Sequence, residues 1–304
     1  MNDAIVAQHV YKRFGDFTAV SDLSLCVPRG CIYGFLGPNG CGKSTTIRML
    51  TGLLAPSSGE IAVLSYALPA RAEFLKTKIG YMTQKFSLYG DLTVKENLSF
   101  IAKVYQFTPK QEKRRLAELV SLYHLAPVYH QLAGSLSGGQ KQRLAMAAAT
   151  IHAPELLFLD EPTSAVDPEN RRDFWESLFD LCEQGTTILV STHYMDEAER
   201  CHYLAILNEG HLVANASPTQ LIEGIHANIV EISGTGLREL KTQLLTLPEV
   251  KSAAQQGIRL RVLVDQKITA PQAWLTQCMG DVLRDKTVGL ARPDLEDVFV
   301  TYTQ

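Results

Sequence analysis

No apolar run in the chain reaches the roughly 18 residues that a bilayer-crossing helix needs, so any membrane role has to come through a partner. Cysteine is sparse and unpatterned. The six cysteines (Cys26, Cys31, Cys41, Cys182, Cys201 and Cys278) form no C-x-x-C pair and no zinc-ligand spacing. That argues against a zinc site and points to free thiols in a reducing cytoplasm. Met1-Asn2-Asp3 lacks the basic n-region and apolar h-region of a secretory signal, so none is expected. Neither charge sign dominates: 29 Lys and Arg face 32 Asp and Glu, a net charge of −3. No overall field therefore attracts DNA, RNA or anionic lipid, and no nucleic-acid partner is expected.

What the chain does have is ordinary globular composition, 46% hydrophobic and 20% charged residues, and room for two units. It also has Gly37-Pro38-Asn39-Gly40-Cys41-Gly42-Lys43-Ser44-Thr45, a fit to G-x-x-x-x-G-K-[ST]. A short apolar strand, 32–36, precedes it, and residues 46–54 have helical apolar spacing with a closing Gly52. Glycines let a backbone wrap an anion, with amides aimed at phosphate oxygens at a helix N-terminus. Lys43 adds a mobile charge for the β- and γ-phosphates, and Ser44 a hydroxyl for Mg²⁺. Cys41, at that helix start and beside Lys43, is expected to have a lowered pKa and to react readily.

Elsewhere the pattern alternates. Residues 4–10 and 22–27 read as strands, with aromatic residues in 11–17 beside a turn. Phe14 or Phe17 there either stacks on a base or packs in the core. Strands at 60–64 and 78–83 give way to helices at 94–105, 109–125 and from 138, a helical insertion spanning about 86–149. The charges Lys110, Glu112, Lys113, Arg114, Arg115 and Glu118 read as a solvated face. Apolar runs at 156–159 and 187–191, with helix spacing at 170–184 between them, suit a parallel sheet buried on two faces. Beyond about 224 the order β-α-β-β-α-β appears, with the fourth strand at 282–289, which is the split βαβ or ferredoxin-like pattern. The expected division is 1–224 for an α/β unit and 225–304 for a small α+β unit.

Two further clusters carry chemistry. Leu156-Leu157-Phe158-Leu159-Asp160-Glu161 is an apolar strand ending on two carboxylates. Alone it could be a turn; with a phosphate loop upstream, Asp160 suits Mg²⁺ and Glu161 suits polarising water. Leu136-Ser137-Gly138-Gly139-Gln140, followed by Lys141, Gln142 and Arg143, offers a capped helix whose open amides face an anion. One nucleotide does not obviously need two glycine clasps from one polypeptide.

Phe14, the glycine loop, Gln84, Leu136–Gln140, Leu157–Pro162, Ser164-Ala165-Val166-Asp167 and His193 occur in the order and spacing of the ATP-binding cassette ATPases. Over about its first 220 residues the chain resembles that family. The resemblance implies a P-loop NTPase fold: a RecA-like parallel sheet, an antiparallel β subdomain and the helical insertion. It implies ATP and Mg²⁺, with two cassettes, as a homodimer, packed head to tail. Ser137, Gly138, Gly139 and Gln140 of one copy would then face the phosphate loop of the other. Glu161 becomes the general base, and His193 a contact to the γ-phosphate and the attacking water. Gln84 becomes a contact to Mg²⁺ or water, Phe14 the adenine stack, and Asp167 a dimer-interface residue. Val166 stands where the family commonly has leucine.

About fifty residues separate Gln84 from Leu136, with no sustained heptads, unlike the coiled-coil repair and condensation members. A single motif set differs from translation-type members. The resemblance therefore implies a transport subunit peripheral to the cytoplasmic face of the inner membrane, with Phe86, Ser87, Leu88 and Tyr89 docking a separate permease. Residues 191–199 and 294–300 resemble the ABC-2 exporter group of drugs, ions or polysaccharides. The alternatives are an importer subunit and an ATP-dependent switch without transport; Lys43, Asp160, Glu161 and His193 together speak against a cassette that only binds.

Overall fold

Two long antiparallel strands, β1 (Ile5–Phe14) and β2 (Phe17–Val27), open the chain around the turn at Gly15 and Asp16. The structure is a computed structural model that describes residues 3–164 and 166–303. Met1 and Asn2, on which the N-terminal reading partly rests, lie outside the described residues, as do Ala165, within the run 164–167, and Gln304. β2 begins at Phe17 rather than 22, because its first residues pair with β1 in a two-residue hairpin that apolar alternation does not announce.

β3 (Ile32–Leu36) is buried at all five positions and leads through the glycine loop into α1 (Lys43–Leu50). β4 (Ser58–Val63) returns to pair with β1, followed by β5 (Tyr66–Leu68), α2 (Ala72–Lys76) and β6 (Ile79–Met82). The helical insertion is α3 (Val94–Val104), α4 (Pro109–Leu122) and α5 (Gly138–Thr150). Each begins on a capping box: Thr93 with Glu96, Thr108 with Gln111, Ser137 with Gln140. Then come β7 (Leu156–Asp160), α6 (Pro168–Glu183), β8 (Thr187–Thr192), the single-turn α7 (Met195–Ala198), β9 (Tyr203–Asn208) and β10 (His211–Ala216).

The central sheet has the order β10-β9-β3-β8-β7-β6, and β2-β1-β4-β5 forms a separate antiparallel sheet. β3 pairs in parallel with β8 and β9, and β7 with β6 and β8. Tyr33, Phe35, Phe158 and Leu189 of the central sheet share one core with Ile5, Val10, Leu23 and Val63 of the antiparallel sheet and with Ile47 and Leu50 of α1.

The chain forms two compact units, 1–215 and 216–304. The division precedes 224 because α8 (Pro218–Glu223) packs against the last helix. The second unit continues with β11 (Ala227–Ser233), α9 (Leu237–Leu244), β12 (Val250–Gln256), β13 (Arg259–Asp265), α10 (Pro271–Met279), β14 (Thr287–Ala291) and α11 (Leu295–Thr303). Its sheet order, β12-β13-β11-β14, with every pair antiparallel, is that of the split βαβ motif. The last strand starts at Thr287 rather than 282, since Gly280–Leu283 closes α10 as a 3₁₀ turn.

Candidate active site

Parallel strands in register deliver their following loops to one edge of the sheet, where ligands bind in open α/β folds. Leu36 pairs with Thr192, Asp160 with Ser191 and Met82 with Leu159. The glycine loop after β3, Gln84 after β6, Glu161 after β7 and His193 after β8 therefore emerge together.

In the loop, Gly37 is buried while Pro38, Asn39 and Gly40 are exposed. The backbone turns left-handed at Gly40 (φ 84°) and Gly42 (φ 102°). A Cβ on Gly42 would lie 2.6 Å from the Ala19 carbonyl oxygen, so both the angle and the space demand glycine. Lys43 and Glu161 are only 4% and 8% exposed. Lys43 Nζ donates to the carbonyls of Gly37 (2.8 Å) and Pro38 (3.0 Å) and lies 3.4 Å from Glu161 Oε1. Ser44 and Thr45 sit half-buried at the start of α1.

Asp160 Oδ1 accepts from Ser44 Oγ (2.9 Å) and from Ser191 Oγ (2.8 Å). Ser191 Oγ also accepts from the Glu161 amide at 2.9 Å, so one hydroxyl sets both acidic residues. Glu161 takes φ 46°, a left-handed value unusual for a non-glycine residue, which that bond holds in place. Gln84 Nε2 donates to Glu161 Oε2 at 2.9 Å. His193 Nδ1 stands 3.6 Å from the same oxygen and has no hydrogen-bond partner among the described residues. Ser191 was not expected; in a run of buried β8 residues its hydroxyl carries no sequence signal.

The donors Ser44 Oγ and Asp160 Oδ1 are hard oxygens within contact of one another, a set suited to Mg²⁺. Among the described residues no group of three or more His, Cys, Asp or Glu forms a metal cage, and an ion shared with phosphate oxygens and water needs none.

Cys41 departs from expectation. It is buried, and that burial pushes its thiol up, outweighing the nearby Lys43 charge that pulls it down. Burial thus favours the neutral thiol over the reactive thiolate. Phe14 and Phe17 are exposed at 50% and 64%, so neither belongs to the core. Lys12 Nζ lies 5.1 Å from the Phe14 ring centre. The root of their hairpin abuts the loop, through Ala19 against Gly42.

Ser137 and Gly138 are exposed. Ser137 Oγ accepts from the Gln140 amide at 3.3 Å, and Gln140 Oε1 from the Ser137 amide at 2.9 Å. Among the described residues no hydrogen bond joins Ser137, Gly138, Gly139 or Gln140 to the glycine loop. Gly139 backs onto Asn170, whose side chain a Cβ would approach to 3.0 Å. Asn170 in turn donates to Asp167, the N-cap of α6, and these bonds hold the Asp167 carboxyl below the usual range.

A family model described as ABC transporter matches residues 20–164. The chain is 43% identical over 217 residues to probable multidrug ABC transporter ATP-binding protein YbhF of Escherichia coli (strain K12), covering 71% of this chain and 38% of that protein. It thus spans well under half of that relative's length. To Nod factor export ATP-binding protein I of Burkholderia orbicola (strain AU 1054) it is 36% identical over 299 residues, covering 97% of this chain and 95% of the relative. Among solved structures, a dimeric post-hydrolysis state of an ATP-binding cassette bound to ADP and Pi superposes with a TM-score of 0.65 at 26% identity, over 70% of this chain and 98% of that one.

Proposed function

The chain belongs to the ABC transporter family, and on that premise we propose that it is the ATP-binding, ATP-hydrolysing subunit of an exporter that works through a separate ABC-2 type permease. The cargo in this reading is a drug or other small molecule, supported by relatives named for multidrug transport and Nod factor export. The observation that carries it is the convergence of Lys43, Gln84, Asp160, Glu161 and His193 at one sheet edge, with Ser137–Gln140 apart from them.

The loop amides and Lys43 hold the β- and γ-phosphates, and Phe14 offers its exposed ring to adenine. Ser44, Asp160 and Gln84 would hold Mg²⁺, which when bound would neutralise phosphate charge. Lys43 and Gln84 both contact the Glu161 carboxylate. Phosphates draw Lys43 away, and Glu161 is left to take a proton from water, with the unpartnered His193 Nδ1 beside it. Ser137, Gly138, Gly139 and Gln140 serve the nucleotide of a second copy in a homodimer, with Asp167 at that interface.

No described helix is long and apolar enough to cross a membrane; in this reading the subunit attaches peripherally, through its permease, at the cytoplasmic face of the inner membrane. A groove of about 690 Å³ between α3, α5 and β6, lined by Tyr81, Phe86, Leu88, Ile101, Val104 and Tyr105, supports permease docking there. Tyr89 and Phe100, exposed and packed edge to face at 5.4 Å, supply further apolar surface.

Phosphate release from the purified protein tests the hydrolytic part. Glu161→Gln is expected to retain ATP binding and to lose roughly 10²- to 10⁴-fold in rate, as for removal of a general base. An unchanged rate in Glu161→Gln, or none in the unaltered protein, overturns it. Export is tested by ATP-driven efflux from vesicles holding the subunit with its permease.

A further inference from the structure

Glu197 is 1% exposed on α7, one turn beyond His193, and none of the roles above uses it. Each of its carboxylate oxygens accepts a hydroxyl hydrogen bond. Oε2 accepts from Thr192 Oγ1 at 2.6 Å, and Oε1 accepts from the Thr163 hydroxyl. Arg171 Nε lies 3.6 Å from Oε1.

These partners come from three segments that flank the reacting groups. Thr163 is two residues past Glu161, Thr192 immediately precedes His193, and Arg171 is on α6, whose N-cap is Asp167. Thr192 Oγ1 also accepts from the Tyr194 amide at 3.0 Å, so one hydroxyl grips the residues on both sides of His193. Arg171 lays its guanidinium over the Tyr194 ring at 4.2 Å and approaches Asp196 at 3.6 Å.

A carboxylate is costly to bury unless it is paired and hydrogen-bonded. An apolar side chain would fill the same space on a one-turn helix, and the acid is distinguished by what it joins. We propose that Glu197 is a positioning residue for hydrolysis, holding His193 and the Glu161–Thr163 turn in one fixed relation. The separation it maintains is the 3.6 Å between His193 Nδ1 and Glu161 Oε2. Without it two buried hydroxyls lose their acceptors and Arg171 loses its buried counter-charge, so the His193 turn is free to shift relative to Glu161. The inference rests on the ATPase reading, which the rate of the unaltered protein tests separately.

The experiment compares ATP turnover, normalised to nucleotide-binding sites, in the unaltered protein, Glu197→Gln, Thr192→Val and Thr163→Val. Misplacing a catalytic group by about 1 Å costs on the order of 10²-fold, so kcat is expected to fall roughly ten- to a hundredfold in Glu197→Gln and Thr192→Val. KM and nucleotide affinity stay within about twofold, because the phosphate loop is untouched. In a His193→Ala background Thr192→Val should have no further effect, since both act through one residue. A structural role alone would lower the folded fraction while leaving kcat per site unchanged. Unchanged kcat per site, kcat and affinity falling together, or additive effects with His193→Ala each overturn the proposal. If Glu197→Gln fails to fold, the near-isosteric Thr192→Val decides.

Discussion

His152 stacks on Tyr105 with ring centres 4.0 Å apart and an 8° tilt, and its Nε2–H donates to the Ile79 carbonyl at 2.9 Å. Its Nδ1 is buried without a partner among the described residues, and burial pushes the imidazole down from 6.5 to about 4. Between those values the unfolded chain binds more protons than the folded one, so stability falls as pH drops. The contribution is complete above about 6.5 and disappears progressively toward about 4. At about 1.4 kcal/mol per unit the loss is at most roughly 3 to 4 kcal/mol. Denaturant unfolding at pH 7 and pH 4.5 should show a smaller decline for His152→Phe than for the unaltered protein; equal declines would refute this. No pattern in the sequence marks His152, whereas Lys43, Asp160 and Glu161 stand in motifs whose chemistry dictates residue type. Cys41 misleads for the same reason that Glu197 hides. Whether a side chain is in water or in the core is set by packing from distant segments, here Gly210 and the core around Leu207 for Cys41, and Thr163 and Arg171 for Glu197.

At the scale of elements, α11 shows how the tail 294–300 works physically. Asp294 caps the helix, accepting from the Asp297 amide at 3.0 Å, and Asp297 bonds Arg261 on β13 through Nε (3.2 Å) and a terminal nitrogen (2.5 Å). Both charged side chains are nearly buried, at 10% and 5% exposure. Removing one member of such a pair strands the other, so Asp297→Ala should destabilise the second unit by roughly 3–5 kcal/mol. Arg261→Met with Asp297→Leu should recover most of that, because apolar replacements avoid the stranded charge. Urea unfolding of the three proteins measures it, and an Asp297→Ala midpoint equal to that of the unaltered protein would refute the pairing. Helices were the legible elements, since capping boxes at Thr93, Thr108 and Ser137 and apolar spacing are local signals. β9 and β10 were not foreseen. Tyr203–Asn208 is a short apolar run that only its place beside β3 makes a strand, and β10 lies at the sheet edge with mostly half-buried residues.

At the scale of the whole molecule, the dimeric reading proposed for this chain makes the Lys43 site one half of a composite site. Lys43 and its neighbours sit at one sheet edge, while Ser137–Gln140 form an exposed to half-exposed helix start that shares no hydrogen bond with them among the described residues. In a two-fold symmetric dimer each composite site takes its phosphate loop from one copy and its serine-glycine cap from the other. Lys43→Ala removes the first part. Gly139→Asp removes the second, adding a carboxylate both to the space that Asn170 fills and to the amides an anion would approach. Each variant alone should release no phosphate above background. Mixed and allowed to exchange, they form heterodimers in which one site combines the intact loop of the Gly139→Asp copy with the intact cap of the Lys43→Ala copy. Phosphate release should therefore reappear in the mixture, and rise with total protein concentration as dimers form. A mixture as silent as its components would show that the cap does not act across the interface. Activity in Gly139→Asp alone would show that it is not part of the site at all.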